Sequence, residues 1–189
     1  MSPQPVTDAD RDLVESLFER ISADLGMIID HPLTFEGVEA ERLDHRPAGE
    51  GEVHVSFRVE LTLQGQTGQG SFLLPARHAI TAGGYLMMAT DEEVERWRER
   101  DEIDASMKEA ILEVSNFVAG SIESVLRRVA PGEVSVRSGG CQGVRADVRP
   151  AFQYEEGTEL LVGRAQGSLE GYEPCTAMLM LPVPPQTGE

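Results

Sequence analysis

Glu109, Glu113, Asn116, Gly120 and Glu123 follow one another at intervals of four, three, four and three residues, the spacing that puts side chains on a single stripe of an α-helix. A carboxylate at Glu113 and a carboxamide at Asn116 therefore project side by side, one offering acceptors and the other both donors and acceptors. Two members of the stripe are poor helix residues. Asn competes for backbone hydrogen bonds, and Gly costs about 1 kcal/mol relative to Ala. Solvation of an exposed face accounts for the glutamates alone; the Asn and the Gly point to something that approaches closely.

The helix that carries the stripe is expected over residues 103–128, capped near Asp104 or Ser106 and stopped by Pro131 and Gly132. Its other face, formed by Met107, Ala110, Ile111, Val114, Phe117, Val118, Ser121, Ile122 and Val125, should lie on a sheet. An amphipathic helix is also predicted from Thr7, an N-cap, to Gly26, with Leu13, Val14, Leu17, Phe18, Ile21 and Leu25 as its core face. Residues 76–89 read as a helix interrupted by Gly83 and Gly84, and residues 91–100 as a short charged helix.

Strand signals are strongest over residues 52–64, where Val53, Val55, Phe57, Val59, Leu61 and Leu63 alternate with mostly polar residues. Residues 65–68 reverse the chain into a second strand through Phe72 that Pro75 ends. Further strands are expected at 133–137, 143–149, 158–169 and 172–181, which gives a largely antiparallel sheet. The chain also shows a faint duplication. Glu19, Ser22 and Gly26 repeat the spacing of Glu113, Asn116 and Gly120, and both halves close on Leu-Pro, at Leu74-Pro75 and Leu181-Pro182.

The segment MKEAILEVSNFVAGSI, residues 107–122, resembles the signature helix of the CheC/CheX/FliY phosphatases, in which Glu-x-x-Asn precedes a patch of small residues. Here Glu113 and Asn116 take the motif positions and Ala119 and Gly120 the small ones. The resemblance implies an α/β (α+β) fold with a mainly antiparallel sheet, two long helices on one face and a pseudo-twofold. It implies removal of phosphate from a phosphorylated CheY-like receiver domain, as in chemotaxis or related two-component signalling. Asn116 would hold water in line with the aspartyl phosphate and Glu113 would meet the receiver's lysine. Glu109, Gly120 and Glu123 would lie on the docking face. The chain itself would bind no cofactor or metal, and Mg2+ would belong to the receiver. Ser22 stands where a second site would need Asn, so one site is expected, as in CheX-like members. Pro131 comes earlier than the family's proline, with Gly139 near the expected place. A second function therefore stays open: a non-catalytic binding module of the same fold that recognises a receiver or a flagellar switch component.

The rest of the sequence narrows the classes. At 189 residues one domain is expected, with short flexible tails at about 1–6 and 184–189. A formal net charge of −17 without a basic stripe speaks against nucleic acid and anionic membranes as partners. No leader-like or bilayer-length apolar run occurs, so the expected location is cytoplasmic. An exposed sheet edge would allow a homodimer. Cys141 and Cys175 are expected as free thiols, at least one of them buried, and the segment 138–143 around Cys141 as a turn between strands. His31, His45, His54 and His78 lack metal-ligand spacing and read as surface residues. The glycines of 65–70 lack the Lys and Ser/Thr of a phosphate loop, and the paired methionines Met87-Met88 and Met178/Met180 read as core fillers.

Overall fold

Thr7 starts the first helix as the sequence predicts. Its hydroxyl accepts from the Asp10 N–H at 3.1 Å while the Asp10 carboxylate accepts from the Thr7 N–H at 2.8 Å, a reciprocal capping box. The computed structural model, which describes residues 3–100 and 102–183, takes this helix, α1 (Asp8–Ile29), past the expected end at Gly26. The core stripe continues to the buried Ile29, and Asp30 supplies the left-handed cap at φ 55°. Gly26 has a packing role instead: a Cβ there would sit 3.2 Å from the His31 carbonyl oxygen.

The chain continues through strands β1 (Leu33–Leu43), β2 (His54–Leu63) and β3 (Gln66–Pro75), helices α2 (Ala76–Leu86), α3 (Asp91–Arg98) and α4 (Ala105–Val129), and strands β4 (Val134–Val144), β5 (Leu160–Leu169) and β6 (Cys175–Pro182). The six strands form one antiparallel sheet in the order β1-β5-β6-β3-β2-β4. Exchanging β1 with β4, β2 with β5 and β3 with β6 returns the same order reversed. The duplication seen in the spacing of the two long helices is thus built into the sheet, whose halves meet where Phe72 of β3 pairs with Leu179 of β6.

α1, α2 and α4 cover one face of the sheet, and their apolar stripes merge with Phe57, Val59, Leu61, Phe72, Leu161, Ala177 and Leu179 in the main core. A smaller apolar cluster of Leu73, Leu160, Val162, Met178, Met180 and Phe152 lies on the other face. Gly83 and Gly84 do not interrupt α2, because they permit close packing there. A Cβ at Gly83 would meet Met107 Sδ at 2.9 Å, and one at Gly84 would meet Val94 Cγ2 at 2.8 Å.

Several expectations are corrected. The hairpin turn between β2 and β3 is tighter than 65–68: Gln64 and Gly65 alone turn the chain, at φ 52° and 78°, the left-handed pair that suits the twist of a hairpin. Residues 138–143 are not a turn but the middle of β4, bulged opposite Phe57 and Val59 with Gly140 at φ 91°; residues 145–149 are not strand. β1 has no counterpart among the predicted strands, because a bulge between Glu36 and Glu39 breaks its alternation. His54 and His78 are buried, not surface residues. The second sheet face, where His54 points away from the helices, is covered in part by the chain at Gly49, whose Cβ would lie 2.6 Å from His54 Nδ1.

Cys141 and Cys175 are free, the latter buried. Of the expected flexible tails, residues 1–2 and 184–189 lie outside the described residues; Gln4 N–H donates to Glu159 Oε1 at 2.6 Å. Among the described residues no helix is long and apolar enough to cross a membrane.

Candidate functional site

α4 begins where the Asp104 carboxylate accepts from the Met107 N–H at 2.9 Å, an N-cap that satisfies one otherwise orphaned donor. Its buried face carries two hydroxyls that fix the helix on either side of Asn116. Ser115 Oγ lies 2.6 Å from Ser138 Oγ on β4. Ser121 Oγ donates to Asp24 Oδ2 of α1 at 2.7 Å. These two anchors sit one residue before and five after Asn116, so the rotation of α4 about its axis is set from both neighbouring elements. Sequence reasoning placed Ser121 on the buried face but gave neither serine this role; a hydroxyl among apolar helix positions was the available signal.

The structure brings Glu109, Glu113, Asn116 and Gly120 together on the exposed side of α4. Asn116 Nδ2 lies 3.4 Å from Glu113 Oε2, long for a hydrogen bond, so the carboxamide keeps its capacity to donate and accept elsewhere. Glu123 behaves differently from the other members of the stripe. Its Oε2 accepts the Val136 N–H of β4 at 3.1 Å and it pairs with Arg127, which ties it to the edge of the sheet.

Gly120 is open. Apart from its chain neighbours and the adjacent backbone of α4 itself, a Cβ there would have no heavy atom within 4 Å, and its φ is not in the positive region. Neither close packing nor backbone conformation accounts for the glycine. Its pseudo-equivalent Gly26 is packed under the chain at His31 and Leu33, and Ser22, the counterpart of Asn116, is buried with its hydroxyl donating to the Glu19 carbonyl at 2.9 Å. In the α1 copy of the stripe the position equivalent to Asn116 is thus buried and the glycine packed, whereas in the α4 copy both are exposed.

Two apolar side chains flank the outward stripe, Leu112 at 43% and Phe117 at 38% exposure. Phe117 was expected on the core face. It stands instead at the margin of that face, partly open to solvent. Among the described residues no three His, Cys, Asp or Glu side chains gather as a metal-binding group.

No protein-family model matches the sequence, and no curated protein is similar to it. Solved structures are. FliY of Thermotoga maritima superposes with a TM-score of 0.66 at 16% identity, covering 94% of this chain and 92% of that one. The FliM middle domain from H. pylori gives 0.63 at 10% identity, covering 94% of each chain. The chemotaxis protein CheX from Desulfovibrio desulfuricans gives 0.57 at 11%, covering 89% and 97%. The chain thus has the fold shared by CheX, FliY and FliM, as the signature helix implied.

Proposed function

We propose that the chain docks a phosphorylated CheY-like receiver domain on the α4 stripe and hydrolyses its aspartyl phosphate, in the cytoplasm, in chemotaxis or a related two-component pathway. The observation that carries this reading is Gly120. A helix-interior glycine with no internal reason, one turn from an exposed Asn, leaves room for another protein's backbone to come within contact of α4.

In this reading Asn116 accepts a hydrogen bond from a water molecule and aligns it with the phosphorus. Water attacks, the bond from phosphorus to the aspartyl oxygen breaks, and the products are inorganic phosphate and the free carboxylate. Such a transfer is limited by positioning and charge stabilisation more than by covalent chemistry, which suits a site with so few groups. Glu113 meets the receiver's lysine and orients the complex; Glu109 and Gly120 complete the docking face, and Glu123, held against β4 by the Val136 N–H, borders it. The receiver supplies the phosphoacceptor aspartate and Mg2+. The exposed edges of the sheet, β1 and β4, each carry a bulge, and either could take part in a homodimer.

A non-catalytic module is the second reading, favoured by a likeness to FliM that lies between those to FliY and CheX; a FliG-FliM complex from H. pylori is among the similar structures. The two separate in one experiment: loss of phosphate from a panel of Mg2+-bound phosphorylated receivers, with the wild type and with Asn116→Ala. Acceleration by the wild type alone supports the phosphatase. Binding without acceleration supports the module.

A further inference from the structure

Next to Glu113 the surface changes character. Between the end of α2 and the first turns of α4 lies an open depression lined by Leu86, Met87, Ala110 and Leu112 together with the carboxylates of Glu109 and Glu113. The residue after Met87 is Met88, 92% exposed and held at φ 60°. That left-handed position at the end of a helix normally falls to Gly or Asn, and an exposed methionine there buries no apolar surface in this chain. Among the described residues neither Glu109 nor Glu113 makes an ion pair.

We infer that this depression anchors an apolar side chain of the partner that stands beside a lysine or arginine, the apolar group resting on Leu112 and Met87 and the cation between Glu109 and Glu113. The inference rests on the receiver-docking reading for the identity of the partner and adds how that partner is held. Charge selects the occupant. A second copy of this chain, with a net charge of −17, would set glutamates against glutamates across a twofold contact, and an acidic segment would be repelled in the same way. A contact that combines an apolar anchor with a desolvated cation gives both affinity and register.

The test is a titration of the wild type, Leu112→Ala, Glu109→Lys and Asn116→Ala with the Mg2+- and beryllofluoride-loaded receiver that the wild type binds most tightly in the panel, alongside phosphate release at saturating receiver. Leu112→Ala and Glu109→Lys are expected to raise Kd about tenfold or more, with Asn116→Ala within about twofold of the wild type. Glu109 is exposed, so its variant reports on docking even if the Leu112 variant loses stability. Unchanged Kd for both variants, with phosphate release still accelerated by the wild type, overturns the anchor and leaves the phosphatase standing. Weakened binding by both, with no acceleration by the wild type, supports the anchor and removes catalysis. A wild type that binds no receiver overturns both.

Discussion

A methyl group added at Gly26 would lie 3.2 Å from the carbonyl oxygen of His31, whereas one added at Gly120, the same position in the other half of the molecule, would touch nothing within 4 Å apart from its chain neighbours and the adjacent helix backbone. The pair separates a glycine that the fold requires from one that it does not. Gly120→Ala should therefore stabilise the protein, by about 1 kcal/mol from helix propensity, which for a chain of this size raises Tm by roughly 2–4 °C. The same substitution should weaken receiver docking, because the added methyl stands where the partner's backbone approaches. Thermal denaturation and a binding titration read the two effects separately. A variant that is more stable and docks as well as the wild type would leave Gly120 without a functional reason.

Asn116 and Glu113 should fail in different ways. Truncating Asn116 to Ala removes a water-orienting amide but little contact area, so turnover is expected to fall on the order of 100-fold with Kd nearly unchanged. Glu113→Ala leaves the partner's lysine without its carboxylate, so both Kd and turnover should suffer. Single-turnover phosphate release across a range of concentrations separates the two parameters. Equal turnover in the Asn116 variant would take that residue out of the mechanism, and unchanged affinity in the Glu113 variant would take away its docking role.

The sequence made α4 legible because a long helix against a sheet writes its burial into a 3.6-residue period, and nine apolar or small positions kept that period from Met107 to Val125. The site on its outer face was legible for the same reason: what the core did not claim was left as a stripe. The limits of that stripe were not. Whether Glu123 faces solvent depends on β4, which lies 13 residues away along the chain at Val136. β1 carries no strand signal because the Gly37 bulge shifts its register and charged residues fill much of its length, and β4 reads as two strands because Gly139 and Gly140 look like a turn when no partner strand is in view. Long-range pairing decides such positions, and local pattern does not carry it.

Arg42 of β1 joins α1 to the loop before β5, segments far apart in sequence. Its Nε and Nη2 donate to the two carboxylate oxygens of Asp10 at 3.0 Å each, and its Nη1 donates to Glu159 Oε2 at 3.2 Å. Burial by itself would push the Asp10 carboxyl up, but the hydrogen bonds from Arg42 and Thr7 outweigh it and hold the group below its ordinary value. A lowered carboxylate contributes stability above its unfolded value of 3.8 that is lost as pH falls through the lower, folded one. Removing Arg42 at neutral pH leaves a buried carboxylate without its cation, so Arg42→Ala should cost about 3–5 kcal/mol. Urea denaturation measures it, and a loss below about 0.5 kcal/mol, the scale of an ordinary surface change, would show that the pair holds little.

His78 gives the fold a dependence on mild acid. Its Nε2 lies 2.8 Å from the Glu173 carbonyl oxygen, so this nitrogen carries the proton and donates, while Nδ1 is buried without a partner. Protonating Nδ1 would place a second N–H and a positive charge in a site that also feels the Arg98 guanidinium, with Glu173 and Glu52 as the opposing charges. Burial dominates and lowers the imidazole below its ordinary 6.5. The unfolded chain then binds a proton that the folded one refuses, so stability is fully present above pH 6.5 and declines as pH falls from there toward the folded value. Denaturation midpoints for the wild type should drop between neutral pH and pH values below 6.5, before the carboxylates begin to titrate. His78→Gln, which cannot charge, should flatten that slope whatever its own stability. The same slope in both proteins would mean that another group drives the acid response and that His78 is protonated in the fold as readily as in the unfolded chain.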